Sequence, residues 1–166
     1  MDFAKRAVLI LAVLIGCVGC DQVTKSAARS FLPAAQTWSF AGDSVRLQLA
    51  HNSGAFLSLG ASLPEGLRTG LFSLGAGCVL LCLLGYGLFA RGSDVPGTIG
   101  LALIVGGGFS NLADRLLCGG YVVDFLNLGI GGVRTGIFNL ADVAISAGVL
   151  LLLVMSFARN RSSEAS

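Results

Sequence analysis

Charge is what this chain is short of. Only 12% of its 166 residues are Asp, Glu, Lys or Arg, about half the share found in an ordinary soluble domain. So few charges cannot cover a folded surface in water, and lipid is the solvent they imply. The formal net charge is only +2, with no basic cluster, so a nucleic-acid partner is not expected. There is one histidine, His51, with no thiol or carboxylate at ligand spacing and no H-E-x-x-H run, which argues against a zinc centre. No G-x-S-x-G occurs, and no serine is marked as a nucleophile for a Ser-His-Asp arrangement through His51. Gly106-Gly107-Gly108 lacks the Lys and Ser/Thr of a phosphate-binding loop, and the 24 glycines follow no G-x-y period. Of the five cysteines, Cys17 and Cys20 have C-x-x-C spacing without a preceding strand or a second pair. Cys78 and Cys82 merely share a helix face. Four of the five cysteines lie inside apolar runs, where a thiol reads as a small hydrophobe; the fifth is Cys118. No metal and no cofactor is expected.

What the chain has instead is apolar length. Hydrophobic residues make up 54% and the mean hydropathy is +0.82. The runs predict an all-α integral membrane protein, a single membrane domain over residues 1–166. Its bundle of four transmembrane helices is expected at about 7–28, 67–90, 97–117 and 138–158, each near the ~20 residues that a bilayer needs. The segments between them, about 31–65 and 118–137, are then periplasmic if the termini are cytoplasmic. Small residues at Gly100, Gly106, Gly107, Gly108 and Ser110 let the third helix approach its neighbours closely.

The first run poses a choice. From Ala7 to Cys20 it spans only 14 residues, and Leu14-Ile15-Gly16-Cys17 looks like a lipobox, the cleavage signal of a bacterial lipoprotein. Because more membrane follows, rather than a soluble domain, the uncleaved helix is the preferred reading. It continues to about Ala28 and pairs Asp21 with Lys25 one turn later. Leu32-Pro33 ends it. In the polar segment that follows, Val45–Leu49 alternates as a half-exposed strand does, forming a small periplasmic β-element between helices 1 and 2. His51-Asn52-Ser53-Gly54 reads as a turn, and Ala55–Leu63 as a short apolar stretch on the membrane surface. Lys5, Arg6, Arg91, Arg159 and Arg161 lie in short segments on one side. Lys25, Arg29, Arg46, Arg68, Arg115 and Arg134 are spread over longer ones on the other. The density favours cytoplasmic termini, and the tail from Arg159 is expected to be solvated.

Alternation of four spans brings Asp21, Lys25, Asn52, Asn111, Asp114, Arg115, Asp124, Asn139 and Asp142 to one membrane boundary. The tetrapeptide N-L-A-D occurs twice, at Asn111–Asp114 and Asn139–Asp142, and its i,i+3 spacing puts Asn and Asp on one helix face. Arg115 directly follows Asp114 and is expected to neutralise it. Asp142, one turn into the last helix, and Asp124, after the β-prone Tyr121-Val122-Val123, have no cation within a turn. Two such carboxylates brought together share a proton. One can then take a proton from water while the other polarises a carbonyl, which is peptide hydrolysis without metal or covalent nucleophile. The plainer reading makes Asn139 an N-cap, Asp142 a favourable acid at a helix start, and Asp124 a loop residue. A small proton-coupled transporter would use the same carboxylates, but at mid-bilayer. A non-catalytic scaffold or a processed lipoprotein is the third class.

Five motifs in order, D-Q-V-T-K (Asp21–Lys25), N-S-G-A-F (Asn52–Phe56), G-G-G-F-S-N-L-A-D-R (Gly106–Arg115), V-V-D-F (Val122–Phe125) and F-N-L-A-D (Phe138–Asp142), resemble those of the bacterial lipoprotein signal peptidases, signal peptidase II. The resemblance runs over essentially the whole chain. It implies a four-span inner-membrane aspartic endopeptidase that cleaves signal peptides from diacylglyceryl-modified prolipoproteins just before the lipidated cysteine. It implies Asp124 and Asp142 as the catalytic pair. Asn111, Arg115 and Asn139 match positions that orient the aspartates or bind substrate, and Asn52 and Gly54 match a periplasmic cradle loop. Asp21 and Lys25 match the motif ending helix 1, which with Asp114 supplies structural polar contacts. A monomer among membrane lipids, open to globomycin-type inhibitors, with its site at the periplasmic face, is the expectation. Ser110, where glycine is more usual, and N-S-G-A-F-L for N-T-G-A-A-F are departures.

Overall fold

The computed structural model describes residues 1–33, 36–53, 64–90 and 94–164. Its elements run α1 (Phe3–Phe31), β1 (Trp38–Phe40), β2 (Val45–Asn52), α2 (Glu65–Phe89), α3 (Val95–Leu117), β3 (Val122–Ile130), β4 (Val133–Arg134) and α4 (Leu140–Glu164). Among the described residues three helices are long and apolar enough to cross a membrane: α1, α3 and α4 over Leu140–Arg161. The fourth, α2, has a shorter apolar stretch, Ser73–Phe89. Large apolar side chains stay exposed along them, among them Leu11 and Ile15 on α1, Leu74, Val79 and Leu81 on α2, and Leu150 and Val154 on α4. In water such a surface would mark a binding face. Around helices long and apolar enough to cross a membrane, it is a surface suited to acyl chains.

Local signals set the helix ends. Asp2 caps α1 by accepting from the Lys5 amide at 2.9 Å, and Asp94 caps α3 through the Gly97 amide at 2.9 Å, each satisfying a donor left free by the first turn. Arg6, read in the sequence only as an orientation signal, is buried. Its guanidinium donates to the carbonyls of Leu88 and Ala90 at the end of α2. The tail is exposed at Arg159–Arg161 but helical: α4 continues to Glu164, and Arg159 pairs with Asp94 at 2.6 Å.

The centre of the bundle is α3, which packs against α1, α2 and α4. Its three consecutive glycines face three different helices. A methyl at Gly106 would press on Cys17 of α1, one at Gly107 on the Ala141 carbonyl of α4, and one at Gly108 on Leu80 of α2. Absent side chains here let one helix touch three neighbours. Past the end of α3 the chain reverses through Gly119 (φ 70°) and Gly120 (φ 94°), left-handed conformations in which a Cβ is strained. That reversal launches β3.

The sheet departs from expectation. Among the described residues it has four strands in the order β1-β2-β3-β4, two of them from the segment between α3 and α4, not from the one between α1 and α2. Nor are His51 and Asn52 a turn. They end β2, paired with Val123 and Val122, while Ala50 pairs with Asp124. An eight-residue strand outlasts its alternating pattern because β3 lies beside it, and no local signal encodes that neighbour. The stretch Ala55–Leu63 and Gly54 lie outside the described residues. Where α1 meets the sheet, Ala28, Leu32 and Phe125 form a small core, with Leu47, Leu49, Leu126 and Leu140 packed against it.

Candidate active site

Asp124 and Asp142 arrive from different directions. Asp124 rides on β3 and is 1% exposed. Asp142 is half-buried in the first turn of α4. There the Asp142 amide donates to Asn139 Oδ1 at 3.0 Å and the Asn139 amide donates to Asp142 Oδ2 at 3.1 Å, a reciprocal cap of the capping-box kind. The N-cap reading of Asn139 is therefore correct but incomplete. Its side-chain NH2 also reaches out of the helix, donating to Asp124 Oδ1 at 2.6 Å, to Asn111 Oδ1 at 3.1 Å and to the Val123 carbonyl at 3.4 Å. Asn111 in turn donates to Asp142 Oδ1 at 2.9 Å, and Asn52 to Asp124 Oδ2 at 2.9 Å. Every carboxylate oxygen of the two aspartates thus has an amide donor. Neither aspartate has an ion-pair partner among the described residues.

Burial pushes the Asp124 carboxyl above its ordinary value. The Asn52 and Asn139 amides pull it down less than burial raises it, and the neighbouring Asp142 charge raises it further. Desolvation and a like charge both disfavour a second ionisation. The arrangement suits a pair holding one proton between them.

Beneath the aspartates lies a second polar layer. Lys25 is wholly buried, with its Nζ 2.6 Å from Asp21 Oδ2, 2.9 Å from Asp114 Oδ2 and 2.9 Å from Asn111 Oδ1. Both acids also accept from backbone next to the pair above. Asp21 Oδ1 accepts from the Ala141 amide at 2.9 Å, one residue before Asp142. Asp114 Oδ2 accepts from the Val123 amide at 3.1 Å, one residue before Asp124. One ammonium ion thereby ties α1 and α3 to the two segments that carry the aspartates. The Asp21–Lys25 pair was legible in the sequence, but the cation beside Asp114 was not. Lys25 serves Asp114, with Arg29 farther away at 3.7 Å. Arg115, its neighbour in sequence, makes no ion pair among the described residues. It lines an apolar cavity of about 920 Å³ between α2 and α3, with Gly70, Ser73, Gly77, Leu112 and Gly120. Successive helix residues point about 100° apart, which is why adjacency misleads here.

Two members of this layer were not anticipated. Ser110 donates to Asp21 Oδ2 at 2.7 Å, and Gln22 donates to Asp114 Oδ1 at 2.9 Å and to Ser110 Oγ at 3.0 Å. A glutamine inside an apolar helix was the available signal. His51 stays apart from the layer, its ring stacked on Tyr121 at 4.3 Å.

The comparisons with known proteins agree with one another. A family model described as signal peptidase (SPase) II matches residues 13–158. A lipoprotein signal peptidase of Mycobacterium bovis is 33% identical over 160 residues, covering 92% of this chain and 72% of its own length. One from Paraburkholderia phymatum is 35% identical over 155 residues, covering 93% and 90%. Among solved structures, a bacterial membrane enzyme superposes with a TM-score of 0.77 at 22% identity, over 91% of this chain and 88% of its own, a likeness of fold alone. With a family model matched over most of the chain and relatives at a third identity over nearly all of it, the chain belongs to the signal peptidase II family of bacterial membrane peptidases.

Proposed function

We propose that this peptidase cleaves the signal peptide from diacylglyceryl-modified prolipoproteins, just before the lipidated cysteine, using Asp124 and Asp142 as an aspartic dyad. The observation that carries the proposal is the pair itself. Two carboxylates with no ion-pair partner among the described residues are held by Asn139, which touches both, with Asn52 and Asn111 on the outer oxygens. Asp124, the more deeply buried and the one whose carboxyl burial raises, holds the shared proton and donates it to the scissile carbonyl oxygen. Asp142, ionised, removes a proton from the attacking water. The tetrahedral intermediate then collapses: the C–N bond breaks as the proton on Asp142 passes to the departing amine, and one hydroxyl proton of the intermediate returns to Asp124. Asn111, Asn139 and Asn52 keep the carboxylates in place, and Arg115 and Gly54 contribute to the surroundings in which substrate lies.

In this reading α2 crosses the bilayer as well, giving four spans within one membrane domain, with both termini cytoplasmic and the dyad at the periplasmic boundary of the inner membrane. The two sheet-forming segments make a cradle there. A lipidated substrate keeps its acyl chains among bilayer lipids while the peptide bond meets the aspartates from the side. The enzyme acts as a monomer and is blocked by globomycin-type peptides. A proton-coupled transporter would need its acids accessible from both ends of the bundle, whereas here they gather at the end where α1 and α3 stop and α4 starts. The test is cleavage of a diacylglyceryl prolipoprotein peptide by purified protein. Asp124→Asn and Asp142→Asn, each folded and inserted, are expected to lose on the order of 10²–10⁴-fold or more in turnover. Retained activity in either variant would overturn the dyad.

A further inference from the structure

Beyond Asp124 and Phe125, the outer part of the sheet has one apolar face and one polar face, and the contrast follows from register. Trp38 pairs with Leu47, Phe40 with Val45, Val45 with Leu128, Leu47 with Leu126, and Ile130 with Val133. Directly paired residues lie on the same side of a sheet, as do alternate residues of a strand. All eight of these positions therefore share one face. The other face carries Ser39, Arg46, Asn127 and Arg134, and its polar groups are tied together. Arg46 makes a two-pronged contact with Asp43 at 2.6 and 2.7 Å, and Arg134 donates to Asn127 Oδ1 at 2.6 Å and to the Asp43 carbonyl at 2.7 Å.

Among the described residues the apolar face is covered at its inner end, where half-buried Leu47 and Leu126 pack against the small core at the end of α1. Farther out it is bare. Ile130 is 84% exposed and Val133 82%, at the tip of the β3–β4 hairpin, and Trp38, Phe40 and Leu128 are exposed beside them. A contiguous apolar patch of this kind requires an occupant. Its position names one. The covered end rests on the end of α1, a helix on which Val23 and Phe31 are exposed in the same way, so the sheet face continues the apolar surface of the helices. Tryptophan belongs at such a boundary, where its ring is half in lipid.

We infer that the apolar face of the sheet lies in the lipid interface, with Trp38, Phe40, Leu128, Ile130 and Val133 seated at the headgroup–acyl boundary and the Asp43–Arg46–Arg134 face turned to water. The inference rests on the membrane-spanning reading above and adds a purpose to the sheet. Asp124 and Asn52 belong to the two central strands, so seating the sheet in lipid fixes the depth at which one carboxylate of the pair meets a membrane-anchored peptide.

Trp38 is the only tryptophan in the chain and reports on this directly. The full-length protein in phosphatidylcholine nanodiscs, with some lipids brominated either near the headgroup or near the chain ends, is the system to measure. Bromines near the headgroup are expected to reduce Trp38 emission about twofold, the depth at which interfacial tryptophan resides. Chain-end bromines and aqueous acrylamide should have little effect. Replacing Ile130→Asp and Val133→Asp together should weaken bromine quenching and let acrylamide in. Trp38 open to acrylamide and untouched by bromine would overturn the inference. So would shielding from both that is relieved on dilution, because a second copy of the chain would then be the occupant. A Val79→Trp change in a Trp38→Phe background separates the two levels of argument. Val79 is exposed on α2, and chain-end bromines should quench a tryptophan there. If that probe is quenched while Trp38 is not, only the seating of the sheet falls. If neither is quenched, the membrane-spanning reading falls with it.

Discussion

Replacing Lys25 with methionine keeps the length of the side chain and deletes its charge. In the native protein the ammonium is fully buried and lies within 2.9 Å of Asp21, Asp114 and Asn111. Without it, two carboxylates stay in a site with almost no water, facing one another. Breaking a buried ion pair by removing one partner costs about 3–5 kcal/mol, mostly as the penalty for the charge left behind. At about 2–4 °C per kcal/mol for a chain of this size, the melting midpoint should fall by roughly 6–20 °C. The damage should reach the aspartate pair. Asn111 loses its Lys25 contact, and Asp21 and Asp114 are the acceptors for the amides of Ala141 and Val123. Thermal unfolding in detergent, alongside peptide cleavage well below the midpoint, measures both effects. Adding Asp21→Asn and Asp114→Asn to Lys25→Met removes the stranded charges and should recover much of the stability while activity stays low. A Lys25→Met protein that melts within about 1 kcal/mol of the parent would refute the reasoning, because a solvated lysine would then be the correct picture.

The central helix offers a steric test. Gly107→Ala places a methyl against the Ala141 carbonyl and Ile145, forcing α3 and α4 apart directly beneath Asp142. Overpacking of this kind costs about 1–3 kcal/mol, and cleavage should fall more than stability does, whereas Gly75→Ala, which faces open space, should change neither. A second test uses pH. The Asp124 carboxyl is raised by burial, so the folded chain binds that proton more tightly than the unfolded chain. Its contribution to stability is full below the unfolded value of ~4 and is lost as pH rises through the higher folded value. Melting midpoints measured in detergent across that window should decline with pH in the parent, and Asp124→Asn should remove this component. Superimposable profiles would show that Asp124 is ordinary. Activity should persist to higher pH than an unshifted carboxylate pair allows, then fall as the shared proton leaves.

Much of the candidate site can be read in the chain because lipid makes charge expensive. A carboxylate or lysine in an apolar helix stands out by its cost alone, and that is why Asp21, Lys25, Asp114 and Asp142 are visible before any coordinates. The repeated N-L-A-D likewise announces two helix faces with the same chemistry. The ion pair of Asp21 with Lys25 could be named in advance because both lie on one helix, where spacing is geometry. Arg115 beside Asp114 shows the limit of that logic: adjacent positions on a helix diverge, and the true partner came from α1.

Composition and apolar periodicity by themselves determined the membrane class, the helices and the polar positions among them, since each depends only on local spacing and on the cost of charge in lipid. Tertiary structure alone decided what those positions do for one another. The pairing of β2 with β3, the sheet drawn from two separate segments, and Lys25 lying under both aspartate-bearing segments all join residues between 70 and 120 positions apart. Such contacts arise when three helices close on the glycines of α3. Hydrogen bonds and ion pairs reach only about 3 Å, so partners that distant in the chain become chemistry only once the fold has brought them together.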